Sequence, residues 1–104
     1  MKILPTVGRV VWFRAPEEFQ IRRAGDDEPF AAIIAHVETE SQVNLTVFDH
    51  FGHPHPVVNV HLVQDGEDIP ESGTYCQWMP YQISVARGEI PPVLHAQPEK
   101  PAVA

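Results

Sequence analysis

The sequence predicts an all-β domain, and three observations on its middle third lead to that prediction. Segments 30–38, 43–48 and 57–63 are rich in valine, isoleucine and other residues that favour strands. Their apolar side chains recur at every second position, which is the spacing of a strand and not of a helix. Short polar stretches separate them, and the second of these, 49–56, contains Gly52, Pro54 and Pro56. Together these features indicate neighbouring strands that share one buried face.

The first strand is expected at 7–14, where β-branched and aromatic residues surround Gly8, a residue typical of a bulge or a close backbone approach. Residues 15–29 form a long polar connection that ends in the turn cluster 25–29. Phe19 and Ile21 alternate within it, so part of this loop is expected to fold back over the mouth of the domain.

The next three strands are expected on short connections. The turn 39–42 is short enough to make the second and third strands an antiparallel hairpin. Pro54 and Pro56 predict that segment 49–56 has no continuous ladder pairing. The side chains expected inside are Val43, Leu45 and Val47 of the third strand and Val58, Val60 and Leu62 of the fourth, with Asn59 and His61 outside.

The last part of the domain is expected to be a turn at 64–68 and a short strand at 74–79 that Pro80 ends. Residues 81–89 fit either a strand or a helical turn. Beyond them, prolines without apolar periodicity predict a flexible, Pro-rich tail. The expected organisation is one β-barrel domain at 1–89 and a tail at 90–104.

One strand, a long loop, three strands on short turns and a short last strand are the order of a small five-stranded SH3-like barrel with a long first loop. The five-stranded OB barrel is the main alternative. It usually places a helix between its third and fourth strands, and segment 49–56 has no helical pattern. The SH3-like arrangement is therefore the predicted fold.

Length, cysteine content and charge limit the size of the fold, its redox setting and the kinds of partner it can bind. The 104 residues suffice for one hydrophobic core, and the single cysteine, Cys76, permits no internal disulfide, as expected of a reducing cytoplasm. The formal charge is −7, divided into +3 for residues 1–23 and −10 for residues 24–104. An acidic body repels nucleic-acid phosphates and anionic lipids. No apolar run has the roughly 20 residues that a membrane-spanning helix needs.

Three segments also carry a resemblance: Val7-Gly8-Arg9-Val10-Val11, Ala31-Ala32-Ile33-Ile34-Ala35-His36-Val37, and Val43-Asn44-Leu45-Thr46-Val47-Phe48-Asp49 followed by Gly52. Together they resemble small uncharacterised β-proteins encoded by tailed bacteriophages and prophages. The resemblance implies a phage-related origin and a setting in the host cytoplasm, with association with the virion left open. It implies no catalytic residues.

A histidine-rich turn is the first candidate site. His50, His53 and His55 lie within six residues, and neutral imidazole is a common ligand of zinc, nickel and copper. An extended backbone would direct His53 and His55 to the same side. The turn is therefore a candidate metal site, with a solvated turn as the alternative interpretation.

A group of aromatic and basic residues near the first and last strands is the second candidate. In SH3-like barrels, the groove beside the first long loop often binds peptides, methylated side chains or nucleic acid. The alternative is that Trp12 and Trp78 fill the barrel. The candidate partner-binding residues are Trp12, Phe19, Arg22, Arg23, Phe51, Tyr75, Trp78 and Tyr81.

Catalytic motifs are missing from the sequence. The serines lack nucleophile-elbow glycines, and there is no glycine-rich phosphate loop. We therefore expect a non-enzymatic protein–protein interaction or assembly accessory module without a cofactor, whose partner is a protein or a second copy of the chain. The alternative is a regulatory module that binds nucleic acid or metal.

Overall fold

A computed structural model describes residues 2–16 and 28–89, which form a closed five-stranded barrel. The elements are β1 Val10–Arg14, β2 Phe30–Thr39, β3 Gln42–Phe48, β4 Pro54–Val63, β5 Tyr75–Gln77 and α1 Pro80–Ala86. The strands follow one another around the barrel in chain order. All neighbours are antiparallel except β4 and β5, which are parallel. The prediction of an all-β barrel is confirmed, and its strand order is consistent with the SH3-like type.

The interior is built by the alternation that the sequence shows. Every second residue of β3 is buried, so the inward assignment of Val43, Leu45 and Val47 is confirmed. Each such apolar side chain stabilises the fold by about 1.5–3 kcal/mol when it leaves water. The rest of the core cluster is Val11, Phe13, Ala15, Phe30, Ala32, Ile34, Val60, Leu62, Cys76 and Trp78.

The prediction that Val58 lies inside is wrong, because β4 contains a bulge. The register pairs Leu45 with Val57 but Val43 with Val60, which leaves one extra residue on β4. Asn59 takes up this residue with a φ of 57°, and its backbone N–H donates to Asn44 Oδ1 at 2.9 Å. The bulge reverses the alternation, so Val57 packs against the core and Val58 is 62% exposed.

The prediction that 49–56 has no continuous ladder pairing is right for 49–53, which form the turn after β3, and wrong for 54–56. β4 begins at Pro54, which pairs with Phe48, and Pro56 pairs with Thr46. Within the described residues, the pairing of β4 with β5 covers only Leu62 and Val63, so the first half of β4 has a neighbouring strand on one side alone. A proline is tolerated in such a strand because its nitrogen can face the open side.

The turn between β2 and β3 and the helix after β5 complete the domain. Thr39 pairs with Gln42, which confirms the predicted hairpin turn. The sequence left 81–89 open between a strand and a helical turn. The structure has a helix there, α1, which begins at Pro80, a favoured first helical residue. Gln82 fixes this helix, because its Oε1 accepts from Met79 N at 2.7 Å and its Nε2 donates to the carbonyl of Val10 at 2.9 Å. Two predicted features lie outside the described residues: the part of the first loop expected to fold back over the mouth of the domain, and the Pro-rich tail.

Candidate functional site

The outward-facing residues of β1–β4 form one continuous surface, which we call the outer face. Val10 of β1 pairs with Ile33 of β2, Ile33 pairs with Thr46 of β3, and Thr46 pairs with Pro56 of β4. Directly opposed residues project to the same side of a sheet, so this row crosses all four strands. Its apolar members are Val10, Trp12, Ala31, Ile33, Ala35, Phe48, Pro54, Pro56 and Val58, and its neutral polar members are His36, Thr39, Gln42, Asn44, Thr46, Asn59 and His61.

The outer face has no formal charge. With histidine counted as neutral, β1–β4 contain two charged residues, Arg14 and Glu38, and both lie near strand ends. An antiparallel sheet with one face in water normally alternates apolar residues inside with polar residues outside. Here about half of the outward positions are apolar and almost all of the others are neutral, although a fifth of the whole chain is charged. Core packing therefore does not account for the composition of these strands.

Several side chains of the outer face are accessible to solvent. Ile33 is 37% exposed and its neighbour Val10 is 40% exposed. Trp12 is half-buried, and the guanidinium of Arg14 lies 5.7 Å from the centre of its ring. Phe51, which is 66% exposed, lies in the turn that joins β3 to β4 at the edge of this surface. A contiguous apolar patch of this kind is typical of a contact surface, since covering it releases ordered water.

The predicted partner-binding residues do not form one cluster. Trp12 belongs to the outer face and Phe51 borders it, whereas Tyr75 and Trp78 are buried. Trp78 fills the barrel, which was the alternative interpretation for it. Tyr81 is exposed on α1 and belongs to none of these strands. Phe19, Arg22 and Arg23 lie outside the described residues.

Sequence reasoning missed most of the outer face. It concentrated on aromatic and basic side chains, while the accessible residues here are mainly small or β-branched. The signal was present as a run without Asp, Glu, Lys or Arg, which extends over 42–48 and again over 54–63. Such runs are expected of strands buried on both faces, and a barrel this small has only one buried face.

The histidine turn is organised around a buried carboxylate. The side chain of Asp49 is 5% exposed, and its Oδ1 accepts from the backbone N–H groups of Phe51 and His53, both at 2.9 Å. Its Oδ2 lies 3.0 Å from His55 Nε2 and 3.5 Å from His53 Nδ1. Gly52, with a φ of 90°, provides the left-handed position that closes the turn. The turn is thus a self-contained hydrogen-bonded unit.

These contacts do not form the metal site that the sequence suggested. His50 faces away from the other two, with its ring 5.1 Å from that of Phe30 and its Nδ1 3.9 Å from a carboxylate oxygen of Glu28. His53 and His55 both contact Asp49. Across residues 2–16 and 28–89, no three His, Cys, Asp or Glu side chains have an arrangement that could hold a metal ion. The structure therefore accounts for His53 and His55 as partners of the Asp49 carboxylate.

Asp49 leads to a prediction about pH. The hydrogen bond with His55, together with those from the backbone of His53 and Phe51, holds the pKa of Asp49 well below its usual range, although burial opposes the shift. The stabilisation is fully present above the ordinary aspartate pKa of about 4, and it is lost as the pH falls through the folded-state pKa. The unfolding temperature of Asp49→Asn should therefore be below that of the unmodified protein near neutral pH, and the difference should vanish in strong acid. A difference that is constant with pH would contradict this account; thermal melts across the acid range measure it.

Two further groups have structural roles. Burial raises the pKa of the Cys76 thiol to about 12, so this cysteine stays protonated inside the barrel. Arg87 borders a shallow cleft between α1 and the barrel, together with Trp12 and Gln77. Its guanidinium is paired with Asp65 and lies 3.6 Å from Glu89, and the hydrogen bond with Asp65 raises the pKa of Arg87. The cleft therefore presents a neutralised arginine.

Comparisons of the chain with protein-family models, with curated proteins and with solved structures find no match in any of the three. Within the described residues, no helix has the length and hydrophobicity to cross a membrane. The class defined by fold and surface is thus a small closed β-barrel with an uncharged apolar outer face.

Proposed function

We propose that this chain is a non-enzymatic protein–protein interaction module of the assembly accessory kind, and that it contacts its partner through the outer face. The observation that supports the proposal most is the scarcity of charge in four neighbouring strands, which carry only Arg14 and Glu38 near their ends, while many of their outward side chains reach solvent. Depletion of charged residues distinguishes the core of a protein interface from the rest of a protein surface. A phage origin, with a setting in the host cytoplasm or the virion, stays an expectation from the resemblance of its strand sequences.

The composition of the outer face specifies the chemistry of the partner. A charged group buried against it would lose hydration without gaining an opposite charge, which costs several kcal/mol. The matching surface is therefore a protein face that is itself apolar and uncharged. Nucleic acid is a poor match, because its phosphates need basic residues and the outer face has none.

Site-specific photo-crosslinking tests the proposal. A photoreactive phenylalanine analogue is placed at Ile33 or at Val58 of the outer face, and, as a matched control, at Ser72 in the exposed turn between β4 and β5. After irradiation in the organism that encodes the chain, Ile33 and Val58 are expected to give protein adducts that Ser72 does not give. Mass spectrometry of the adduct identifies the partner. Adducts that are equal at all three positions, or confined to nucleic acid, would refute an interface at this face.

A further inference from the structure

We infer that Arg9 is a carboxylate-binding residue at the border of the outer face, and that the partner places an acidic group on it when its apolar surface covers Val10 and Ile33. This inference rests on the proposed function and adds to it a charged group of the partner, outside the uncharged patch. The carboxylate is that of an acidic side chain or of a chain terminus, and the two sources can be separated by experiment.

The backbone holds Arg9 in one place beside the outer face. Its N–H donates to the carbonyl of Thr6 at 3.3 Å, and its carbonyl accepts from Ile34 N at 2.9 Å. Gly8, with a φ of 94°, turns the chain just before Arg9, and its N–H donates to the Ile34 carbonyl at 2.8 Å. The next residue, Val10, begins β1 and belongs to the outer face. Arg9 therefore lies directly at the border of that face.

The side chain of Arg9 is held as well. Arg9 is partly buried, and its guanidinium lies over Trp78, 5.0 Å from the centre of the ring. That ring is itself fixed, because Trp78 is buried and its Nε1 donates to Gln64 Oε1. A guanidinium over an indole keeps its N–H groups at its edges, where they can still donate. The donors of Arg9 are thus preorganised, which lowers the entropic cost of binding a ligand.

No carboxylate of the described residues uses these donors. Arg87 is paired with Asp65 and lies 3.6 Å from Glu89. Across the same part of the chain, Arg9 has no carboxylate within 4 Å and no side-chain hydrogen bond, and its side-chain contact is the one with the indole. The chain has 14 acidic and 7 basic residues, so an arginine without a carboxylate runs against its composition. The acceptor for these donors comes from another molecule.

The surroundings of Arg9 determine the kind of anion. Val7, in the turn before Arg9, and Val10 after it are both apolar and exposed. A planar carboxylate accepts two parallel hydrogen bonds from a guanidinium, and an apolar residue that carries it can contact both valines. A polyanion such as nucleic acid is repelled by the formal charge of −7. The ligand that fits is therefore one carboxylate on an otherwise apolar protein surface.

Nuclear magnetic resonance titration of the full chain at constant ionic strength tests the inference. The probes are N-acetyl-leucine, which carries a terminal carboxylate beside an apolar side chain, and N-acetyl-leucinamide, which lacks the charge. N-acetyl-leucine should shift the Nε–H signal of Arg9 and the indole N–H signal of Trp78, with a dissociation constant of roughly millimolar. The amide should bind at least about tenfold more weakly. N-acetyl-aspartic acid α-amide presents a side-chain carboxylate, and the tighter of the two acids identifies the source.

Substitutions identify the group that binds. Arg9→Met keeps an apolar stem over Trp78 but removes the donors, so it should weaken the binding of N-acetyl-leucine at least about tenfold. Arg9→Lys keeps the charge without the planar donors and should weaken binding less; it provides a value if Arg9→Met does not fold. Arg87→Met is the matched control, because Arg87 is already paired with Asp65, and it should bind as the unmodified protein does. The inference is overturned if the acid and the amide shift the Arg9 signal equally, or if Arg9→Met binds as well as Arg87→Met.

Photo-crosslinking separates this inference from the proposed function. With the photoreactive analogue at Ile33, Arg9→Met should reduce the protein adduct about tenfold and Arg87→Met should leave it unchanged. An adduct that Arg9→Met does not reduce would overturn the role of Arg9 and leave the proposed function standing. Carboxylate binding at Arg9 without any adduct from Ile33 or Val58 would overturn the proposed function, and with it the place of Arg9 at the border of an interface.

Discussion

Replacing Trp78 by alanine is expected to lower the free energy of unfolding by about 3–5 kcal/mol, the usual cost of removing a buried indole. Trp78 is 1% exposed and belongs to the central core cluster. Its Nε1 donates to Gln64 Oε1 at 3.2 Å, and the guanidinium of Arg9 lies 5.0 Å from the centre of its ring. The substitution removes the packing, the hydrogen bond and the cation–π contact together.

Urea titration followed by far-ultraviolet circular dichroism measures this loss. Tyr81→Ala is the matched control, because Tyr81 is an aromatic residue three positions away that is 41% exposed. Its effect is expected to stay within about 0.5–1 kcal/mol. Trp78→Phe should give an intermediate loss, since it keeps most of the ring volume, and it provides a value if the alanine variant does not fold. Equal effects of Trp78→Ala and Tyr81→Ala would show that Trp78 does not fill the core.

The barrel was predictable because its physical cause is local. Side chains alternate along a strand whatever the rest of the chain does, so the inward set of β3 and the short turn to Gln42 follow from spacing alone. The error at Val58 arose where one residue breaks the alternation. Asn59 adopts a positive φ and takes Val58 out of the interior. An asparagine within a strand tolerates that conformation, but nothing local in the sequence distinguishes it from an ordinary outward residue.

The candidate site was less predictable than the fold, because it depends on which strands are neighbours. Val10 and Ile33 are far apart in the chain and meet only through the register of β1 and β2. The fold also divides the aromatic residues that the sequence emphasised, with Trp12 outside and Trp78 inside. An absence of charge over consecutive strands was the feature of the sequence that indicated the outer face.

Gln64 is another residue whose placement depends on a distant part of the chain and could not be predicted from its neighbours. A polar residue directly after a strand and before Asp65-Gly66 is most simply interpreted as part of an exposed turn. It nevertheless continues the alternation of Val60 and Leu62, and it is buried. Its partner, Ile3, is 61 positions away in the chain, so the reason for its burial could not be found locally.

Gln64→Ala is therefore expected to destabilise the protein by about 2–4 kcal/mol, because polar groups at the end of the barrel lose their partners. Gln64 Oε1 accepts from Ile3 N at 3.0 Å and from Trp78 Nε1 at 3.2 Å, while its Nε2 donates to the carbonyl of Ile3 at 2.9 Å. The Gln64 side chain thus hydrogen-bonds both to the segment before β1 and to the indole that fills the core. Without it, this segment should separate from the barrel before the strands unfold.

Hydrogen exchange at the Ile3 amide distinguishes this specific role from a general loss of stability. In the unmodified protein this amide should exchange slowly, and in Gln64→Ala it should exchange much faster while the amides of β3 stay protected. Gln64→Glu separates the two functions of the amide group, because a carboxylate still accepts from Ile3 N but cannot donate to the Ile3 carbonyl. Gln42→Ala, at a half-buried position on the outer side of β3, is the control. If the Ile3 amide of Gln64→Ala exchanges no faster than that of Gln42→Ala, Gln64 does not hold this segment, and the burial of its side chain has another cause.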